Sequence, residues 1–169
     1  MTPRVVLVGS PGSGKSTTGR LLAEHWQEGF RDTDDDIAKA AGKTVADIFI
    51  EDGEDTFRRL EGEAVAHALR EHDGILALGG GAVLSLETRE LLKAQSTVWL
   101  RVGLADAVSR VGLSGARPLL VGNVRGQLNT LLQQRTALYQ EVARVIVDTD
   151  SRTPDDVVAA IVAALEVAS

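Results

Sequence analysis

The stretch from Arg4 to Thr17, Arg-Val-Val-Leu-Val-Gly-Ser-Pro-Gly-Ser-Gly-Lys-Ser-Thr, limits what this chain can fold into more than any other. Four consecutive apolar residues, Val5 to Val8, read as a short strand buried on both faces, as in a parallel sheet. Gly9-x-x-x-x-Gly14-Lys15-Ser16 follows at once and runs directly into a helical stretch. This is the full phosphate-loop pattern, and its chemistry explains its residues. Glycines let the backbone turn tightly and aim successive N–H groups into a concave anion site at a helix N-terminus. Lys15 is placed to reach the β- and γ-phosphates, and the Ser16 hydroxyl to ligate Mg²⁺. At average composition such a match arises by chance about once in a hundred chains of this length or less, and the strand-before, helix-after context lowers that further. Nucleoside triphosphate binding is therefore expected, with Gly12, Ser13, Gly14, Lys15, Ser16 and Thr17 as its candidate residues.

The remaining composition narrows the class. A length of 169 residues suggests one domain with a substantial core. The net charge of -6 argues against a general nucleic-acid or membrane-surface binder. There is no cysteine, which excludes a disulfide framework and a thiolate metal site. No apolar run approaches the ~20 residues that span a bilayer, and the phosphate loop begins too early to leave room for a secretory signal. A cytoplasmic protein that engages neither nucleic acid nor membrane is expected.

Short apolar runs alternate with helical stretches along the chain, which indicates an α/β fold: a parallel sheet with helices on both faces. A helix should begin near Gly14 and turn Leu21, Leu22 and His25 or Trp26 towards the sheet. A weak strand at 29–32 leads into Asp32-Thr33-Asp34-Asp35-Asp36. Asp35 and Asp36 are best read as the negative first turn of a helix. Asp32 and Asp34 sit at the carboxyl end of a strand, the edge where open α/β sheets bind ligands. A phosphate-loop enzyme needs one carboxylate for Mg²⁺ and something to orient an acceptor hydroxyl, and these two acids are placed to divide the work.

Residues 42 to 73 read as an insertion. Thr44-Val45-Ala46-Asp47 is a capping-box pattern for a short helix. A longer helix follows with Phe57, Leu60, Ala64, Val65, Ala68 and Leu69 in one stripe. Arg58 and Glu61 are spaced as natural partners on it, and taken alone such a pair reads as a surface salt bridge of little energetic value. The strand at 75–78 ends in Gly79-Gly80-Gly81. Three glycines carry a large entropic cost, which leaves two readings open: close backbone approach to a ligand or neighbour, or a tight turn into a helix. A fourth strand at 97–102 precedes a helix at 104–111. The segment around 112–123 has glycines at both ends of an arginine-bearing stretch, the pattern of a lid that brings Arg117 onto a transferring phosphoryl group. In the helix predicted over 125–141, Arg135 interrupts a face of Leu128, Leu131, Leu132 and Leu138 or Tyr139. A guanidinium there must snorkel, pair with a buried acid, or meet an anionic ligand; its planar fork suits a carboxylate, and the ligand reading is preferred. A last strand at 144–148 and a helix capped by Thr153, Pro154 and Asp156 end the chain.

Taken together, these residues resemble the shikimate kinase family. The resemblance is carried by Gly9 to Ser16, Asp32-Thr33-Asp34, Ala46-Asp47-Ile48-Phe49, Phe57-Arg58-x-x-Glu61, Gly79-Gly80-Gly81-Ala82-Val83, Arg117-Pro118-Leu119-Leu120, Arg135-x-x-Leu138-Tyr139 and Asp148-Thr149. It covers essentially the whole chain. It implies a P-loop NTPase fold of the nucleoside-monophosphate-kinase-like kind, a three-layer sandwich whose five-stranded parallel sheet has the order 2-3-1-4-5. It implies a single kinase domain over 1–169, with a shikimate-binding helical insertion at about 33–72 and the lid at about 112–123. The implied reaction is ATP- and Mg²⁺-dependent phosphorylation of the 3-hydroxyl of shikimate, on the way to chorismate, by a monomer.

By the same resemblance, Asp34 would contact the acceptor hydroxyl as the base, and Lys15 with Arg117 would stabilise the transferring phosphate. Arg58 and Arg135 would grip the shikimate carboxylate, with Gly79, Gly80 and Gly81 beside them. Ser16 and Asp32 would hold Mg²⁺, and Arg110 and Arg152 would lie against the adenine. The lid flank departs from the family pattern, since Leu113-Ser114-Gly115 and Val121-Gly122-Asn123 lack its polar residues. The rival readings are another small-metabolite or nucleotide kinase of this fold and a nucleotide-dependent switch. Against the switch, no guanine-selecting Asn-Lys-x-Asp motif occurs.

Overall fold

In the computed structural model, which describes residues 2–114 and 123–168, the valine-rich run forms β1 (Val5–Val8), buried along its whole length. It lies at the centre of a parallel sheet. β2 (Phe30–Asp32), β3 (Ile75–Ala77), β4 (Thr97–Arg101) and β5 (Val145–Asp148) complete the order β2-β3-β1-β4-β5. Every pairing is parallel, with Val5 opposite Ile75 and Val6 opposite Thr97. The predicted order 2-3-1-4-5 is the observed one.

Because side chains alternate along a strand, β1 serves two cores at once. Val5 and Leu7 pack with Leu22, Val98, Leu100, Val157 and Ile161, beneath α1 (Lys15–Trp26) and α8 (Pro154–Ala168). Val6 and Val8 pack with Val65, Leu76, Trp99, Tyr139 and Val142, beneath α4 (Glu54–Glu71), α5 (Leu86–Lys93) and α7 (Val124–Val142). Helix, sheet and helix make the three layers. On α1 it is Trp26 that turns to the sheet and His25 that faces solvent. The terminal helix is capped as its sequence indicates: the Asp156 N–H donates to Thr153 Oγ1 at 3.1 Å, and the Thr153 N–H to Asp156 Oδ2 at 3.2 Å.

A smaller core stands apart from the sheet. There α2 (Thr33–Ala41), α3 (Val45–Asp52) and the start of α4 gather around Ile37, Ile48 and Phe57. Thr44 caps α3, its Oγ1 accepting from the Asp47 N–H at 3.1 Å. As expected, Asp35 and Asp36 lie in the first turn of α2, and Asp36 pairs with Arg31 at 2.6 Å. One region escaped the sequence reading, which assigns no element between the three glycines and β4. A 3₁₀ turn at Ala82–Leu84 and then α5 fill it, and α5 is capped by Ser85, whose Oγ accepts from the Thr88 N–H at 3.3 Å. β4 leads into α6 (Leu104–Ser114). Residues 115–122, most of the predicted lid and Arg117 with it, lie outside the described residues. Among the described residues no helix is long and apolar enough to cross a membrane.

Candidate active site

The turn from β1 to α1 builds the anion cradle. Gly14 sits in the left-handed region at φ 86° and caps α1 directly, a conformation that β-carbons disfavour. It delivers the N-terminal N–H groups of α1 to one side of a cavity of about 480 Å³. Lys15 folds back across the loop, its Nζ donating to the Gly9 carbonyl at 2.7 Å and the Ser10 carbonyl at 3.1 Å. Gly12, Ser13, Ser16 and Thr17 line the same cavity.

The Ser16 hydroxyl donates to Asp32 Oδ2 at 3.0 Å, while Asp32 Oδ1 accepts from the Asp34 N–H at 2.9 Å. The N-cap of α2 is thereby shared with the mouth of the phosphate loop. A hydroxyl and a carboxylate this close are hard oxygen donors of the kind Mg²⁺ takes. Among the described residues no cluster of three or more His, Asp or Glu could hold a metal. The pair suits an ion that draws its other ligands from phosphate and water, which is the usual Mg²⁺ arrangement.

The acceptor end is built by elements far apart in sequence. Asp34, on the first turn of α2, and Gly79 and Gly80, after β3, line the nucleotide-side cavity as well. Beside them Arg58 donates from Nη1 to Glu61 Oε1 at 2.9 Å. The pair is not the surface salt bridge that its spacing alone suggests. Glu61 is only 3% exposed, and the Arg58 guanidinium lies 5.8 Å from the Phe49 ring centre and 5.3 Å from that of Phe57. Burial raises the Glu61 carboxyl above the usual carboxylate range; Arg58 opposes the shift, Asp34 adds to it, and Arg135 opposes it.

Both readings of the three glycines hold, since they turn the chain into the 3₁₀ segment and also admit side chains. None has a positive φ. A β-carbon on Gly79 would stand 2.7 Å from Asp34 Oδ1 and 2.9 Å from Glu61 Oε2, and one on Gly81 would collide with the Arg58 guanidinium. Gly79 and Gly81 are glycine because charged groups occupy the space their side chains would fill, whereas a β-carbon on Gly80 would press on Pro11, 3.1 Å from its Cδ. The Gly80 carbonyl is fixed from above by the Tyr139 hydroxyl, which donates to it at 2.6 Å. Burial pushes that hydroxyl up to about 12, so it stays a donor at any physiological pH.

Arg135 is 4% exposed, one turn before Tyr139 on α7, and its Nε has no hydrogen-bond partner among the described residues. It does not snorkel outward. In the phosphate-loop cavity, Arg110 is tied down by the Gly12 carbonyl at 3.1 Å, Thr149 Oγ1 at 3.1 Å and the Thr149 carbonyl at 2.8 Å. Arg152 lines the cavity beside it and donates to the Asp148 carbonyl at 3.1 Å. Sequence reasoning assigned no site role to Tyr139 and Thr149, and gave Glu61 only that of a partner for Arg58; all three shape the site. The signals available for them were a tyrosine on the Arg135 face, a threonine at the carboxyl end of β5, and an acid one turn after Arg58. Arg117 lies outside the described residues, so the structure adds nothing to its expected role.

The family model described as "Shikimate kinase" matches residues 11–166. A shikimate kinase of Streptomyces avermitilis is 54% identical over 164 residues, covering 97% of this chain and 96% of that protein. The solved structure "Shikimate kinase from Acinetobacter baumannii in complex with shikimate" superposes with a TM-score of 0.93 at 34% identity, covering 99% of this chain and 94% of that one. A gluconokinase from Sinorhizobium meliloti superposes with a TM-score of 0.60 over 97% of this chain and 91% of its own, and at 19% identity that likeness speaks for the fold alone. By its sequence, its sheet order and the match across nearly its whole length, the chain belongs to the shikimate kinase family.

Proposed function

We propose that this site transfers the γ-phosphoryl group of ATP to the 3-hydroxyl of shikimate, as one kinase domain acting as a cytoplasmic monomer. One observation carries the acceptor assignment. Arg135 interrupts an apolar helix face, is almost fully buried, and still has a donor without a partner among the described residues. A buried guanidinium left so demands an anion, and a relative of the same fold is described in complex with shikimate, a carboxylate bearing hydroxyls.

In this reading the helical unit at about 33–72 and the loop at 79–81 receive the acceptor. Arg58 and Arg135 grip its carboxylate, with the Gly80 and Gly81 backbone beside them. That contact is remote from the reaction, and its binding energy sets the hydroxyl against Asp34. Asp34 accepts the hydroxyl proton as the oxygen attacks. Lys15 gives up its carbonyl partners in the loop to follow the charge that shifts onto the transferring phosphoryl oxygens, and Arg117 acts there with it. Ser16 and Asp32 would hold Mg²⁺, which would supply neutralisation of the phosphate charge when bound. Arg110, already pinned to Gly12 and Thr149, and Arg152 present flat guanidinium faces to the adenine.

The test is a coupled assay of ADP release across shikimate, gluconate and nucleoside monophosphates. Turnover is expected to require shikimate together with Mg²⁺. Equal turnover with another acceptor, or undiminished hydrolysis with none, would refute the assignment. In the same assay and by calorimetry, Arg135→Ala is expected to weaken shikimate binding by about 1.5 to 3 kcal/mol, roughly ten- to a hundredfold. ATP binding measured without shikimate should hardly change. A folded Arg135→Ala protein that binds shikimate like the parent would make the arginine structural.

A further inference from the structure

Glu61 has a part in the acceptor site that its ion pair with Arg58 does not exhaust. It lies on α4 between buried Phe57 and Val65. Oε1 accepts from Arg58, and Oε2 has no hydrogen-bond partner among the described residues. The charged and titratable groups acting on it are Arg58 from its own helix, Asp34 from α2, and Arg135 with the neutral Tyr139 hydroxyl from α7. Glu54 reaches only the solvent side of Arg58, at 3.4 Å from Nε. Two guanidiniums thus stand against two carboxylates in this pocket.

A substrate carboxylate upsets that balance, since it places a third anion among two cations in a poorly solvated site. It also draws on the same guanidiniums that favour ionised Glu61. Excess negative charge in such a place is relieved most cheaply by protonating the acid that is already hardest to ionise. Asp34 borders the open, nucleotide-side cavity, whereas Glu61 is the more deeply buried of the two acids. A cavity of about 210 Å³, bounded by Arg58, Glu61, Ser85 and Thr88, is roomy enough for the water that would deliver a proton.

We propose that Glu61 is a positioning residue that takes up one proton from solvent as the acceptor carboxylate docks: ionised, it aims Arg58 in the empty pocket, and neutral, it releases Arg58 to the substrate. The proposal rests on the reading that Arg58 and Arg135 receive a carboxylate. Its sign is definite. Ligand binding raises the Glu61 pKa further, so affinity is highest when Glu61 is already neutral. Affinity then falls as pH rises from the free-state pKa to the bound-state pKa, by at most about tenfold per pH unit.

The experiment is calorimetric titration of the full chain with shikimate, in buffers of different ionisation enthalpy, from about pH 5.5 to 8.5, where the ligand's own carboxylate stays ionised. The parent should take up as much as about one proton per shikimate at an intermediate pH and fewer at both extremes. Glu61→Gln keeps the shape and an acceptor for Arg58. It should bind with buffer-independent heat, and its KM for shikimate should be flat across this range. Asp34→Asn should keep the uptake, moved to lower pH. Saturable binding by the parent with buffer-independent heat at every pH would overturn the proposal. So would uptake that survives in Glu61→Gln, or uptake lost in Asp34→Asn. If Arg135→Ala binds shikimate as tightly as the parent, the carboxylate reading fails first and takes this proposal with it.

Discussion

Lys15→Met should lower kcat by about a hundred- to a thousandfold while leaving the fold intact. The size follows from when the charge matters. In the structure Lys15 spends its donors on the Gly9 and Ser10 carbonyls of its own loop, so the empty enzyme holds the ammonium in place at little cost. During transfer, negative charge moves onto the phosphoryl oxygens and the bridging oxygen. A cation already held beside them is then worth several kcal/mol, because it has only to exchange its loop carbonyls for the phosphoryl oxygens. Methionine keeps the length of the side chain and removes the charge. ATP affinity should fall less than kcat, since the loop N–H groups and the α1 terminus still face the phosphates. Single-turnover transfer rates alongside nucleotide titration separate the two effects. A variant keeping most of its kcat would show that the ammonium serves the loop's architecture and not the reaction.

The second large effect is expected at Asp34. Asp34→Asn preserves size, and its N–H can still donate to Asp32 Oδ1, so the N-cap of α2 survives. What it loses is an acceptor for the hydroxyl proton and one negative charge near Glu61. Positioned bases contribute about a hundred- to ten-thousandfold. The loose transition state of phosphoryl transfer asks little of a base, which places the expected kcat loss near the lower figure. Shikimate affinity should hold or improve, because repulsion on the incoming carboxylate falls. Rates at saturating shikimate, paired with calorimetry, check both halves. A variant losing affinity and keeping kcat would reverse the roles assigned to Asp34 and Arg135.

Much of this was legible along the chain because the signals are local. Residues 5–17 state a strand, a loop and a helix in order, and Thr44, Thr153 and Asp156 announce helix starts through side-chain caps that need no tertiary context. Arg135 stood out as a charge within an apolar stripe. The illegible parts depend on long-range packing. An arginine and a glutamate three residues apart look the same on a wet helix face as on one pressed against the 79–81 loop, and only the fold of α4 against α2, α5 and the 3₁₀ turn after that loop reveals Glu61 as buried. The glycine triplet left close approach and tight turning equally open, because its occupants, Asp34, Glu61 and Arg58, come from two other helices. The α5 helix went unread for a different reason. It buries only Thr88 and Leu92, too short a stripe to raise a periodic signal, and its Ser85 cap was the one cue.

The contact between Tyr139 and Gly80 has an optical consequence. Trp99 of β4 stacks on the Tyr139 ring, with centroids 5.7 Å apart and planes inclined by 29°. Trp26, the other of the two tryptophans, lies in the other core with the Arg4 guanidinium 3.9 Å over its ring. One indole therefore touches the residue that clamps the acceptor loop, while its counterpart is isolated across the sheet. Any shift of Tyr139 changes the surroundings of Trp99 alone. The chain carries its own emission reporter for the acceptor pocket, and replacing Trp26 by phenylalanine would leave that signal against a dark background without touching the site.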